Sequence, residues 1–169
     1  MPADVVRALP ADLAGIPPIF DDDGTVTSAS FAPAADGVTV LILARDVDSP
    51  IAALVGSGRS AGDPLDPVGG VARSVRRGLR AASLSPEDVD AWEISEPTAA
   101  TALLASRALG LDPERTNRIG GMLAVGDAGA AEDLRLSIDR LGSINPGGHL
   151  VAVSTGLSGA AATVWQGSN

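Results

Sequence analysis

The order in which hydrophobic periodicities change along this chain restricts its fold more than any single motif. Short apolar runs rich in β-branched residues alternate with segments whose apolar side chains recur at helical spacing. "VTVLILAR" (38–45) reads as a buried strand and "IAALVGSG" (51–58) as a second. A helix follows over 66–83, with Val68, Val71, Val75 and Leu79 on its inner face. Ser85-Pro86-Glu87 caps a short turn, after which Val89 to Ile94 enter the sheet. "TAATALLASRALG" (98–110) is an apolar helix stopped by Gly110 in a left-handed turn. A third helix runs over 129–141, and strands at 149–155 and 160–166 close the chain after the turn "SINPGG". This alternation predicts an α/β domain over 38–169, preceded by an extended Pro-, Asp- and Gly-rich lead-in over 1–37.

Composition narrows the class further. Aromatic residues make up 2% of the 169, so the core is built from Ala, Val, Leu and Ile, which let helices approach a sheet closely. Acidic residues outnumber basic ones by 21 to 12, a balance that repels nucleic acid and anionic lipid. Arg73, Arg76, Arg77 and Arg80 line one side of the first helix, and the reading preferred here is a solvated face. The chain has no cysteine, which excludes disulfides, a thiolate nucleophile and cysteine-bound metals. "MPADVVRALPADLAG" lacks the basic start and apolar run of a signal peptide, and no apolar stretch reaches membrane-spanning length. A cytoplasmic, soluble protein is expected.

"GGMLAVGDAGAAEDLRL" (120–136) poses the functional question. A glycine turn aimed at a helix N-terminus suits anion capture, yet Glu132 and Asp133 already occupy that positive end. Several segments answer it together. "FDDDGTVTSASFAPAADGVTVLIL" resembles the thiolase stretch Gly-Thr-Val-Thr-Ala-Gly-Asn-Ala-Ser-Gly and the apolar strand beyond it. "LSPEDVDAWEISEPTAATALLASRALGLDPERTN" is similar to the segment carrying Asn-Glu-Ala-Phe, "GGMLAVGDAG" to Gly-Gly-Ala-Leu-Ala-Leu-Gly-His-Pro, and "LVAVSTGLSGAAATVW" to the Cys-x-Gly segment. The motifs are collinear over residues 15–166 and resemble the C-terminal half of thiolases, which make and break 3-ketoacyl-CoA.

The resemblance implies a thiolase-like C-terminal domain, with a mixed sheet of about five strands and helices on both faces. It also implies that the glycine turn once presented a catalytic histidine. Here Asp127 stands for that histidine, Ser154 for the cysteine and Ser95 for the asparagine, while Glu96 is retained. These four positions are the candidate catalytic site, in degenerate form. Thiolase chemistry needs a thiolate, a base and donors for developing oxyanions, and an aspartate at the histidine position repels such charge. His149 lies five strand positions from Ser154 and points to the opposite face, so it reads as a structural edge residue.

Weaker signals are read as structural too. "DDDG" (21–24) lacks the alternating acids and distal Glu of a calcium loop and reads as a solvated turn. Glu96, Asp127, Glu132 and Asp133 could converge, but acids at a helix start serve its dipole, and no metal is expected. Ser154 and Thr155 read as strand hydrogen-bonding residues. On the third helix, Leu134, Ile138 and Leu141 form the expected apolar stripe, widened little by Leu136.

No cofactor is implied, no cofactor-binding residue is assigned, and a coenzyme A thioester is the ligand the resemblance allows. The leading reading is a non-catalytic accessory or partner subunit related to acyl-CoA-handling acyltransferases. Half of a split thiolase-type acyltransferase, with the cysteine on a partner chain, and a thioester-binding module are the alternatives. The expected partner is a second copy or a thiolase-family chain.

Overall fold

The computed structural model describes residues 11–156 and 158–168. Residues 1–10 of the expected lead-in lie outside it, and 11–37 are irregular apart from a 3-10 turn at Ser28–Ser30 and isolated bridges. The elements in order are β1 (Ala52–Ala61), α1 (Pro67–Ala82), β2 (Ala91–Ile94), α2 (Ala99–Leu109), α3 (Met122–Val125), α4 (Ala130–Leu141), β3 (His149–Gly156) and β4 (Gly159–Gly167). The sheet has four strands in the order β1-β4-β3-β2. β2 and β3 are parallel, while β4 runs antiparallel to both of its neighbours. This is the α/β domain expected, with four strands against about five.

Each helix starts and stops where local chemistry dictates. The Asp66 carboxylate accepts the Gly69 N–H at 2.9 Å at the head of α1, and Thr98 accepts the Thr101 N–H at the head of α2. Gly110 ends α2 at φ 66°, the left-handed conformation foreseen for it. Val71, Val75 and Leu79 of α1 and Ala102 and Ala105 of α2 pack on Trp92, Ile94, Val151, Val153, Ala162 and Val164. On the other face Leu141 of α4 meets Ala91, Leu150 and Trp165. The domain is therefore three layers, helix on sheet on helix.

The approach of α1 to β1 depends on a missing side chain. A methyl group at Gly58 would sit 2.1 Å from the Ser74 carbonyl oxygen and 2.5 Å from the Gly78 nitrogen, so only glycine permits this contact.

Two expectations are corrected. Residues 38–45 do not form a buried strand: Val38, Val40 and Ile42 are 92%, 76% and 86% exposed. The segment is extended, but no strand among the described residues pairs with it. β propensity expresses itself as a strand only where a neighbour supplies hydrogen bonds. On α4, the residue turned most fully inward is Leu136, with Ser137 and Leu141, whereas Leu134 and Ile138 are half-buried. The irregular segments around α4 bury Glu132 as well, so its covered surface is not one apolar stripe.

Candidate functional site

Strand ends and the α4 N-terminus bring most of the motif positions together. Ser95 follows β2 directly, its N–H bonded to the Val153 carbonyl at 2.9 Å. Its hydroxyl accepts the Thr155 N–H at 2.9 Å and shares a 2.8 Å hydrogen bond with the Thr155 hydroxyl. Ser154, beside Thr155 on β3, alternates onto the α4 face and donates to Asp133 Oδ2 at 2.6 Å. Burial pushes the Asp133 carboxyl up; Ser154 pulls it down, Asp127 and Glu132 push it up, and Ser95 pulls it down. Ser95, Ser154, Asp133 and Asp127 thus form one electrostatically coupled group.

Asp127 is fixed by its own backbone. Its N–H donates to Pro33 at 2.7 Å and its carbonyl accepts from Ala35 at 3.0 Å, which ties the lead-in to the glycine turn. Its carboxylate turns toward α4 and accepts the Gly129 N–H at 2.7 Å. Glu96 leaves the group in another direction. Its Oε1 accepts from Asn117 Nδ2 at 2.6 Å, its N–H donates to Met122 Sδ at 3.0 Å, and its carboxylate packs on Gly121. Each of the four motif positions therefore holds a side chain committed to an internal hydrogen bond.

Other residues shape this region and were not singled out from the sequence. Glu93 sits on β2, facing α4, with no exposed surface. Burial raises its pKa to about 7 against the opposing pull of Arg140, whose Nε lies 3.4 Å from Oε1; Glu96 adds to the rise. Neither Glu93 oxygen has a hydrogen-bond partner among the described residues. One signal could have found it: a lone carboxylate inside the apolar run Ala91-Trp92-Glu93-Ile94. Asn117, at φ 50°, closes the β2 edge: Oδ1 accepts the Ile94 N–H, Nδ2 donates to the Ile94 carbonyl, and its N–H donates to Trp92. Arg135 holds Glu132 and Asp139 in a network on α4.

The remaining sequence candidates have structural settings. Gln166 Nε2 lies 3.3 Å from His149 Nε2; if it donates there, Nδ1 carries the proton and bonds the Asp88 carbonyl at 3.1 Å. β3 is a central strand, so His149 stands at its start and not at a sheet edge. Arg73, Arg76, Arg77 and Arg80 are exposed on α1, with Arg77 bonded to the Arg59 carbonyl. Asp21–Gly24 is a tight turn closed by the Gly24 N–H on the Asp21 carbonyl at 2.8 Å. Among the described residues no three His, Asp or Glu side chains assemble as metal ligands, and no helix is long and apolar enough to cross a membrane. A cavity of about 300 Å³ lies between residues 35–39 and α4, beside the glycine turn, and its charged lining is Asp36, Glu132, Arg135 and Asp139.

A three-layer domain whose β2 and β3 ends meet a glycine turn ahead of α4 defines the C-terminal core of a thiolase. The chain belongs to that family: residues 48–166 match the model of the thiolase C-terminal domain. It is 27% identical over 158 residues to an acetyl-CoA acetyltransferase of Yarrowia lipolytica, covering 90% of this chain and 40% of that protein. The acetyl-CoA acetyltransferase of Bacillus anthracis superposes with a TM-score of 0.83 at 27% identity, over 91% of this chain and 41% of that one. The peroxisomal 3-ketoacyl-CoA thiolase of Saccharomyces cerevisiae is a five-layered A-B-A-B-A structure built from two core domains of identical topology. It matches with a TM-score of 0.65 at 25% identity, over 69% of this chain and 34% of that one. This chain spans less than half the length of these relatives.

Proposed function

We propose that this chain acts as a non-catalytic partner subunit related to the acyl-CoA-handling acyltransferases, working in the cytoplasm in acyl-CoA metabolism. One observation carries the reading: the side chains at the motif positions are spent on holding the fold. Asp127 caps the backbone at Gly129, Ser154 is bound to Asp133, Ser95 to Thr155 and Glu96 to Asn117. An acyl-transfer site needs a free nucleophile with a base beside it and donors aimed at an oxyanion. Here carboxylates surround the serine, and the chain contains no thiol. The carboxylates of Asp127 and Asp133 would repel an oxyanion forming at Ser154.

A second reading is favoured by Glu96. It is the one retained motif residue, and Asn117 and Met122 hold it in place. In that reading the chain completes the site of a thiolase-type chain that brings the cysteine, and a coenzyme A thioester is bound between the two. Turnover separates the readings. The purified chain, assayed for thiolysis of acetoacetyl-CoA, should equal a Ser154→Ala, Glu96→Gln variant. Activity that appears only when a cysteine-bearing thiolase-family chain is co-purified supports the second reading and overturns the first.

A further inference from the structure

The arginines of α1 have no part in the proposed function. Arg73, Arg76, Arg77 and Arg80 are exposed, while Ser74, Val75, Gly78 and Leu79 between them are buried against the sheet. On a helix of about 3.6 residues per turn the four positions share an arc of about 100° and span about 10 Å. None of the four forms an ion pair among the described residues, whereas Arg115, Arg118, Arg135 and Arg140 each meet a carboxylate. α1 carries no acid, and the acids ahead of it are spent on backbone: Asp66 accepts the Gly69 N–H and Asp63 the Leu65 N–H, both at 2.9 Å. Arg77 and Arg80 reach only the carbonyls of Arg59 and Arg76, which leave their charges in place. Arg73 and Arg80 each stand three and four residues from the Arg76-Arg77 pair, a like-charge spacing that destabilises a helix. The helix dipole accounts for Arg80 in the last turn but not for Arg73, ahead of the helix middle.

We propose that this stripe docks an acidic helix of a partner protein, whose carboxylates at i, i+3, i+4 and i+7 repeat the arginine spacing with opposite sign. The proposal gives the partner-subunit reading a surface and rests on that reading for context. Charge and length select the occupant. The chain carries a net charge of -9, so a polyanion longer than the stripe runs off it onto a surface of its own sign. Nucleic acid is disfavoured for that reason and for a second. Single strands bind by stacking bases on aromatic rings, yet α1 has no aromatic residue and both tryptophans are buried. A two-turn acidic face ends where the stripe ends. Guanidinium groups suit its carboxylates, because two parallel N–H donors match the two carboxylate oxygens. The stripe is also held on a fixed backbone: Val71, Val75 and Leu79 beneath it are core residues, and Gly58 lets α1 lie directly on β1. Docking there leaves little main-chain ordering to offset binding.

Fluorescence anisotropy with a labelled, alanine-based helical peptide tests this. With Glu at i, i+3, i+4 and i+7 the peptide should bind the parent chain at low ionic strength, and added salt should weaken the complex. The same peptide with Gln at those positions should not bind. Arg76→Glu/Arg80→Glu should lower the affinity by about tenfold or more. Arg45→Glu/Arg107→Glu reverses two arginines exposed at the end of the 38–45 segment and on α2, and so changes the net charge equally. That variant should lower the affinity less than about twofold, because its charges lie off the stripe. Arg76→Gln/Arg80→Gln should also lose affinity, and should melt no lower than the parent because like-charge repulsion is relieved. No binding of the Glu peptide, or equal losses in the two Glu double variants, would overturn the proposal. So would a stripe-dependent complex with oligothymidylate tighter than that with the peptide. Binding is read without substrate and without a cysteine-bearing chain, so its failure is distinct from detection of turnover.

Discussion

Ser154 Oγ donates a 2.6 Å hydrogen bond to Asp133 Oδ2, joining β3 to the first turn of α4. The other Asp133 oxygen is buried with no hydrogen-bond partner among the described residues, so Ser154 is the main compensation for that charge. Ser154→Ala should cost about 1–2 kcal/mol at neutral pH by urea unfolding. Asp133→Asn should recover part of that loss in the Ser154→Ala background, because the neutral amide carries no charge to desolvate.

Glu93 makes stability depend on pH. Its carboxyl faces Arg140 and Asp139 from α4, with Arg135 and Glu96 also within electrostatic reach, and burial lifts its pKa to about 7. The folded value exceeds the unfolded one, so this contribution is complete below the ordinary glutamate range and is lost as pH rises through about 7. The parent chain should lose up to about 3 kcal/mol between pH 4.5 and 7.5 relative to Glu93→Gln. Parallel pH profiles for the two proteins would contradict this.

The β1–α1 contact has no room for a methyl group at Gly58, because it would meet the Ser74 carbonyl oxygen, the Gly78 nitrogen and Arg77 Cβ, all fixed by the helix backbone. Gly58→Ala should cost about 3 kcal/mol or more, since neither the helix nor the central part of the strand can yield alone. A melting temperature unchanged from the parent would show that the helix lies farther from the strand.

Asn117 has a conformational role and a bonding role that two variants separate. Asn117→Gly tolerates φ 50° but releases the Ile94 N–H, the Ile94 carbonyl and Glu96, and should cost about 2 kcal/mol. Asn117→Ala loses the same bonds and adds backbone strain, so it should unfold at lower urea than the glycine variant. Equal midpoints would remove the conformational part.

The sequence made the regular elements legible where a period and a stop signal coincide. Val71, Val75 and Leu79 marked the buried face of α1, Gly110 the end of α2, and the apolar runs over 149–155 and 160–166 the strands β3 and β4. Residues 38–45 form an equally clear β-branched apolar run, but such a run reports propensity and not the presence of a neighbouring strand. The site divides in the same way. Ser95, Asp127 and Ser154 were singled out because their segments resemble the thiolase motifs. The partners that fix their chemistry were not: Asp133 read as a dipole residue, while Asn117, Glu93 and Arg140 act across the fold. Glu96 neighbours Ser95 in sequence, yet its carboxylate turns away toward Asn117 and Gly121.

The central claim is that the thiolase turn persists here without its chemistry, and turnover tests it most directly. Purified parent chain, Asp127→His and Asp127→His/Ser154→Cys should be compared in a coupled thiolysis assay with acetoacetyl-CoA and free coenzyme A. All three should match the Ser154→Ala, Glu96→Gln background, because the acyl-accepting cysteine, which the split-enzyme reading assigns to a partner chain, is still missing from each of them. Sustained, enzyme-dependent turnover by the parent chain, lost in Ser154→Ala or Glu96→Gln, would contradict the account.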